Sequence, residues 1–200
     1  FPANVEVAAG FYSIYTDKGG TMQQSLRAQV FAELDALSPK RVIVTGHSLG
    51  ASLANLFALD MAVSRPGPAV VNMTFASPRT GGSHFKSAFD HAVEQNGSST
   101  RVVNYWDWVP TMPPKEFGYH HVGERFLVAF YVQGEYIAHP LSRHSLENYQ
   151  VVLEHAMKAT PQVWAGTFPD RAHSGWQMIS TLPPNAYVPE WAALHHKHEL

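Results

Sequence analysis

The stretch Arg41 to Val63 constrains the fold more than any other. Val42-Ile43-Val44 is a short β-branched run of the kind found in buried parallel strands. It passes without a loop into Thr45-Gly46-His47-Ser48-Leu49-Gly50. Ser48 to Val63 then reads as a small-residue, largely apolar helix, which is expected to be buried. A strand that becomes a helix across one sharp turn crowds its own backbone. Gly46 and Gly50 are expected to keep side chains out of that space. The spacing is G-x-S-x-G, and this context predicts a strained turn with the Ser48 hydroxyl above the sheet. The Leu49 amide, at the start of the helix, is placed to donate to a developing oxyanion.

The rest of the chain repeats the strand–helix alternation. A helical stripe runs through Met22, Leu26, Val30, Leu34 and Leu37, predicting a helix over Gly20 to Leu37 that stops at Ser38-Pro39. Strands are expected at Ala69 to Phe75, Arg101 to Trp106 and Glu124 to Tyr131. Helices are expected at Gly82 to Glu94 and at Arg143 to Met157, the latter with Leu146, Tyr149, Leu153 and Met157 on one face. Alternation of this kind predicts an α/β fold with a mainly parallel sheet and flanking helices. Residues 1–160 are read as that domain. Residues 161–200, broken by Pro161, Pro169, Pro183, Pro184 and Pro189, are read as a tail packed on it through Trp164, Trp176 and Trp191.

Composition excludes several classes. A formal net charge of −2 offers no basic excess to hold a phosphate backbone, so no nucleic-acid partner is expected. With no Cys, disulfides, thiolate chemistry and Cys-based metal sites are absent together. The longest apolar run, Phe126 to Val132, is far too short to span a membrane. Twelve His invite a metal reading, but no H-E-x-x-H is present, and His195, His196 and His198 are read as an adventitious terminal cluster. No metal and no cofactor are expected.

Several co-linear segments resemble the fungal-type (class 3) lipase family, within the α/β-hydrolase superfamily. Val42 through Ala54 is similar to its nucleophile elbow. Phe75-Ala76-Ser77-Pro78-Arg79-Thr80-Gly81 is similar to a strand end of that family, and Arg101 through Pro110 resembles its acid-bearing strand. Gly118-Tyr119-His120-His121-Val122-Gly123 and His144-Ser145-Leu146-Glu147-Asn148-Tyr149 resemble its late motifs, and Gly10-Phe11 its early G-F. The resemblance runs over roughly residues 5 to 158.

A hydroxyl is a poor nucleophile at neutral pH and needs a base with an orienting acid. In this superfamily the chain order is Ser, acid, His. Asp60 and Asp90 fall within expected helices and are read as solvated faces, while Asp170 falls in the tail. Asp107 follows a strand end, where α/β sites are built, and is taken as the acid. Trp106 and Trp108 are expected to dry its surroundings. His144 opens a helix after a loop and matches the family's catalytic His, so it is taken as the base, with His139 the nearest rival. His121 is read as structural and His47 as packing behind the site. His173 reaches the site only if the tail folds over it.

The resemblance implies a serine carboxylic-ester hydrolase. A triacylglycerol lipase working through an acyl-enzyme on Ser48 is the first reading. Phospholipase A1, galactolipase or feruloyl esterase activity on the same triad, transfer to an alcohol, and an inactive lipase-like binding protein are the alternatives. The implied partner is a lipid or other ester at a lipid–water interface. Two departures matter. Ala8 stands where the family carries His, and the family's N-terminal strands, lid and second oxyanion donor have no counterpart here. Three readings follow: a separate N-terminal fragment, cleaved but still associated, that completes the fold; such a piece left out; or a chain that is itself a fragment. The implied compartment is the secretory pathway, with ER retrieval through Lys197-His198-Glu199-Leu200 as a further option. Two sequons occur, Asn96-Gly97-Ser98 in a loop and Asn72-Met73-Thr74 in a strand expected to be buried.

Overall fold

A computed structural model describes residues 4–104, 107–128, 131–132, 140–158 and 176–177. In chain order the elements are α1 (Ala9–Thr16), α2 (Leu26–Leu37), β1 (Arg41–His47), α3 (Leu49–Ser64), β2 (Ala69–Phe75), α4 (Ser83–Ala92) and β3 (Ser98–Asn104). They continue with β4 (Glu124–Val128), β5 (Tyr131–Val132), α5 (Pro140–His144), α6 (Leu146–Lys158) and β6 (Trp176–Gln177). Strands β1 to β4 form one parallel sheet in that order. Its register sets Val42 beside Val70, Asn72 beside Ser99 and Val102 beside Phe126. The two-residue strands β5 and β6 pair antiparallel.

Alternation along the strands sorts side chains to two faces. Val42, Val44 and Val70 point to one face, where they pack with Phe31 of α2, Leu56 and Leu59 of α3, and Phe85 and Phe89 of α4. Val102 and Val128 belong to a second cluster with Ala76 and Tyr149, flanked by Phe75, Phe126 and Leu153. Helix α6 therefore covers the C-terminal half of that second face. Ile43 and Met73, nearer the N-terminal half, stay exposed. Among the described residues β1 ends the sheet, with only β2 paired to it.

Several boundaries differ from expectation. Helix α2 starts at Leu26, because the Ser25 hydroxyl accepts from the Ala28 amide and caps it there. Met22 lies outside it and is exposed. Strand β3 begins at Ser98 and stops at Asn104; Trp106 lies outside the described residues. The strand expected over Glu124 to Tyr131 is described as β4 and the start of β5. The last helix is two pieces, α5 and α6, separated by Ser145. Helix α1 was not anticipated. Its N-cap is Ala8, with no side-chain cap bond to announce it.

Asp60 corrects the reading of a solvated helix face. It is fully buried. Tyr15 Oη donates to it at 2.9 Å, Ser64 Oγ at 2.7 Å, and Arg27 engages both carboxylate oxygens. Burial disfavours its charge, but these three donors outweigh it and hold the carboxyl below its ordinary value. The cluster ties α1 and α2 to α3. Asp90 is half-buried and paired with Lys86 at 2.6 Å.

Most of the 161–200 tail lies outside the described residues, as do His139, Asp170, His173, His195, His196, His198, Trp164 and Trp191. No described helix is long and apolar enough to cross a membrane.

Candidate active site

The site forms at the C-terminal ends of the strands. Ser48 sits between β1 and α3 with φ 56° and ψ −126°, a region that side chains other than glycine rarely occupy. The strain expected of the turn is present. Its amide donates to the Phe75 carbonyl at 3.0 Å, which fixes the turn to the end of β2. Gly46 is required: a Cβ there would lie 2.2 Å from the Gly50 carbonyl oxygen. Gly50 is not required on this ground. A Cβ there meets nothing within 4 Å, because Gly50 faces the open groove beside β1.

Asp107 lies three residues beyond β3, and His144 is the last residue of α5. The His144 Nδ1–H donates to Asp107 Oδ2 at 2.8 Å. Its Nε2 lies 2.7 Å from Ser48 Oγ. A carboxylate only accepts, so Nδ1 carries the proton and Nε2 accepts from the Ser48 hydroxyl. The structure thus brings Ser48, His144 and Asp107 into one hydrogen-bonded line. Leu49 is the first residue of α3, whose leading amides have no acceptor within the helix. Its side chain is exposed.

Asp107 is only 2% exposed. Trp108 does not shield it, being 74% exposed, and Trp106 lies outside the described residues. Its covering comes from Tyr149 instead. Tyr149 Oη donates to Asp107 Oδ2 at 3.1 Å and accepts from the Asn104 amide at 2.7 Å. The Val109 amide donates to Asp107 Oδ1 at 3.0 Å. Burial, then the charge of Asp107, pushes the Tyr149 phenol well above its usual range, so it stays a donor. Tyr149 stands on the apolar helix face and ends the His144-to-Tyr149 segment that resembles a late family motif, but neither reading gives it a bond to Asp107, which requires β3 and α6 to be packed first.

Two further anchors hold His144. Asn104 Nδ2 donates to the Arg143 carbonyl at 2.9 Å. His47 Nε2–H donates to the His144 carbonyl at 2.6 Å, and the two imidazole centroids lie 4.6 Å apart. His47 therefore packs behind the site as expected, and also orients the base through its backbone. Burial pulls the His47 imidazole below its ordinary pKa. His121 is satisfied by the Pro110 carbonyl at 2.9 Å, a structural tie on the loop that follows Asp107. Arg79 holds the same loop through the Thr111 and Pro113 carbonyls.

A second buried polar cluster lies under α3. Asn55 Nδ2 donates to Ser77 Oγ and Thr80 Oγ1, and Asn72 Nδ2 donates to Asn55 Oδ1. It locks the helix that carries the elbow onto the end of β2. Among the described residues no group of three metal-ligating side chains occurs.

The model of the lipase (class 3) family matches residues 1–117. The chain belongs to the class 3 lipase family. It is 35% identical over 126 residues to the secreted mono- and diacylglycerol lipase MDL3 of Malassezia globosa, covering 60% of this chain and 38% of that protein. It is 37% identical over 164 residues to phospholipase A1-II 3 of Oryza sativa subsp. japonica, covering 72% of this chain and 38% of that one. The fold is similar to the Rhizomucor miehei lipase in its propeptide complex, with a TM-score of 0.52 and 32% identity over 63% of this chain and 39% of that chain. The fold is that of the α/β-hydrolase lipases. The chain spans well under half the length of each of these relatives.

Proposed function

We propose that this protein hydrolyses carboxylic esters of lipids through an acyl-enzyme on Ser48. The observation that carries the reading is the unbroken Asp107–His144–Ser48 hydrogen-bonded line ending on a strained serine. Ser48 Oγ attacks the ester carbonyl while its proton passes to His144 Nε2. Asp107 stabilises the imidazolium, and the Leu49 amide stabilises the oxyanion. The intermediate collapses, and His144 protonates the departing alcohol. His144 then takes a proton from water as the water oxygen attacks the acyl carbonyl; the acyl–Oγ bond breaks, His144 returns that proton to Ser48 Oγ, and the carboxylic acid leaves.

Acyl substrates suit the surroundings. Leu49, Trp108, Leu141 and Leu146 are all exposed apolar side chains within three residues of Ser48, Asp107 or His144. Acylglycerols are the first substrate class, in keeping with the Malassezia relative. A phospholipid sn-1 ester is the second, favoured by the rice relative and its match over more of this chain. The native compartment is the secretory pathway.

A strand supplied by another segment of the full protein, or by a separate N-terminal fragment, fits the outer edge of β1. That edge faces a groove of about 470 Å³ lined by Leu26, Val30, Leu34, Ile43 and Leu53. The same segment would bring the second oxyanion donor. The test is hydrolysis of mono-, di- and triacylglycerols and of phosphatidylcholine by the full-length protein and its Ser48→Ala variant. Ser48-dependent release of fatty acid from any of them supports the reading, and the preferred lipid names the substrate. A folded protein that binds these lipids and releases no fatty acid is the inactive lipase-like module instead.

A further inference from the structure

The two sequons have opposite environments. Asn72 lies in the middle of β2 and is 1% exposed. Its amide nitrogen donates to Asn55 Oδ1 at 2.8 Å and to Ser99 Oγ at 3.0 Å. A glycan on that nitrogen would replace both bonds with a bulky hydrophilic group inside the sheet–helix core. Asn96 lies in the turn between α4 and β3, with its side chain exposed and Ser98 exposed beside it. Gly97 between them presses on the sheet, since a Cβ there would lie 1.9 Å from the Val70 carbonyl oxygen. The backbone of this turn is thus pinned once β3 has docked on β2, while Asn96 itself faces solvent.

We propose that Asn96 is an N-glycosylation site of the mature protein and that Asn72 is not. This rests on the secretory-pathway reading given above. In the transfer, the Asn96 side-chain nitrogen attacks C1 of an oligosaccharide carried on a polyprenyl pyrophosphate. The C1–N bond forms, the C1–O bond to pyrophosphate breaks, and the pyrophosphate leaves with the electron pair. The amide proton passes to a base of the transferase. Gly97 lies tight against β2 in the folded sheet, and modification of the nascent chain leaves that packing free to form afterwards. Folding then selects the outcome: a chain carrying a glycan at Asn96 can close its sheet, and one carrying it at Asn72 cannot.

The position also spares the site. Asn96 precedes the first residue of β3 and Asp107 follows its last, so a seven-residue strand of roughly 20 Å separates them. A glycan at Asn96 projects from the end of the sheet opposite Ser48, where it leaves the approach of a lipid surface open.

The test is to secrete the full chain from yeast behind a cleavable signal, release glycans with peptide-N-glycosidase in 18O water, and map the labelled sites by mass spectrometry. The expected result is 18O at Asn96 and none at Asn72, with one glycan's shift in mobility that Asn96→Gln and Ser98→Ala both abolish. Spontaneous deamidation of Asn96-Gly97 before digestion carries 16O and is thereby separated. If the chain is not exported, translation with microsomes reads Asn96 without requiring folding. Unlabelled Asn96 in both settings overturns the proposal, as does 18O at Asn72 in the exported protein. Because the signal is supplied, neither result bears on the native compartment, which fractionation of the full-length protein with its own termini decides.

Discussion

Among the described residues two carboxylates are buried, and each accepts a tyrosine hydroxyl: Tyr15 at Asp60 and Tyr149 at Asp107. What completes each site differs. Asp60 is answered by Arg27 and Ser64, a permanent cation and a neutral donor. Asp107 is answered by His144, whose charge depends on whether it holds the Ser48 proton. A buried carboxylate with a guanidinium is a fixed joint, and here it fastens α1 and α2 to α3. A buried carboxylate with an imidazole keeps attraction in reserve, and it is strengthened when the imidazole becomes charged. The same local chemistry therefore serves structure in one place and, on the proposed function, reactivity in the other.

Breaking the partner chemistry should separate the two sites. The largest effect is expected from Asp107→Asn, which keeps the shape and loses the charge. By analogy with the serine-protease triad, kcat should fall by about 10⁴, with the melting temperature little changed. Ester hydrolysis and a thermal scan on the same preparation check this; an active Asp107→Asn enzyme would remove Asp107 from the mechanism. Asp60→Asn should do the opposite, costing about 3 kcal/mol of stability by leaving Arg27 without its counter-charge. The low end of the range applies because the Arg27 side chain is 38% exposed. Activity per folded molecule should be unchanged, as urea denaturation and active-site titration would read.

Acid sharpens the contrast. The folded Asp60 carboxyl is held below its unfolded value, so its contribution is complete above about pH 3.9 and is lost as pH falls through the lower folded pKa. Wild type should lose melting temperature in that window, and Asp60→Asn should show a shallower slope. A smaller effect is expected from Tyr149→Phe, roughly tenfold in kcat with KM held, from one lost hydrogen bond to Asp107. The smallest concerns His47. Its folded pKa is depressed by burial, so its contribution is full above about pH 6.5 and fades as pH falls through the folded value. His47→Gln should flatten the stability slope below about pH 6.5, measured by thermal denaturation.

The sequence made one of these two sites legible and hid the other. Ser48, Asp107 and His144 each stand beside a strand end or helix start, and the G-x-S-x-G spacing singles out the first of them. Their order along the chain then narrows the rest. Asp60 carries no such signal. A helical aspartate looks alike in sequence whether it faces water or a core, and the deciding partners lie 33 and 45 residues away in Arg27 and Tyr15. Trp108 misled for a related reason, since adjacency to Asp107 in the chain says nothing about which way the indole turns. Gly46 and Gly50 look equivalent in the motif, yet only Gly46 meets the backbone of α3.

The Asp107–His144 pair is proposed to activate Ser48. Labelling of the purified protein with a fluorophosphonate serine-hydrolase reagent tests it most directly, on wild type, Ser48→Ala and His144→Ala, with circular dichroism to show that each is folded. Wild type should be labelled covalently at Ser48, and neither variant should be labelled. Unlabelled, well-folded wild type at reagent excess, or labelling that survives Ser48→Ala, would contradict it.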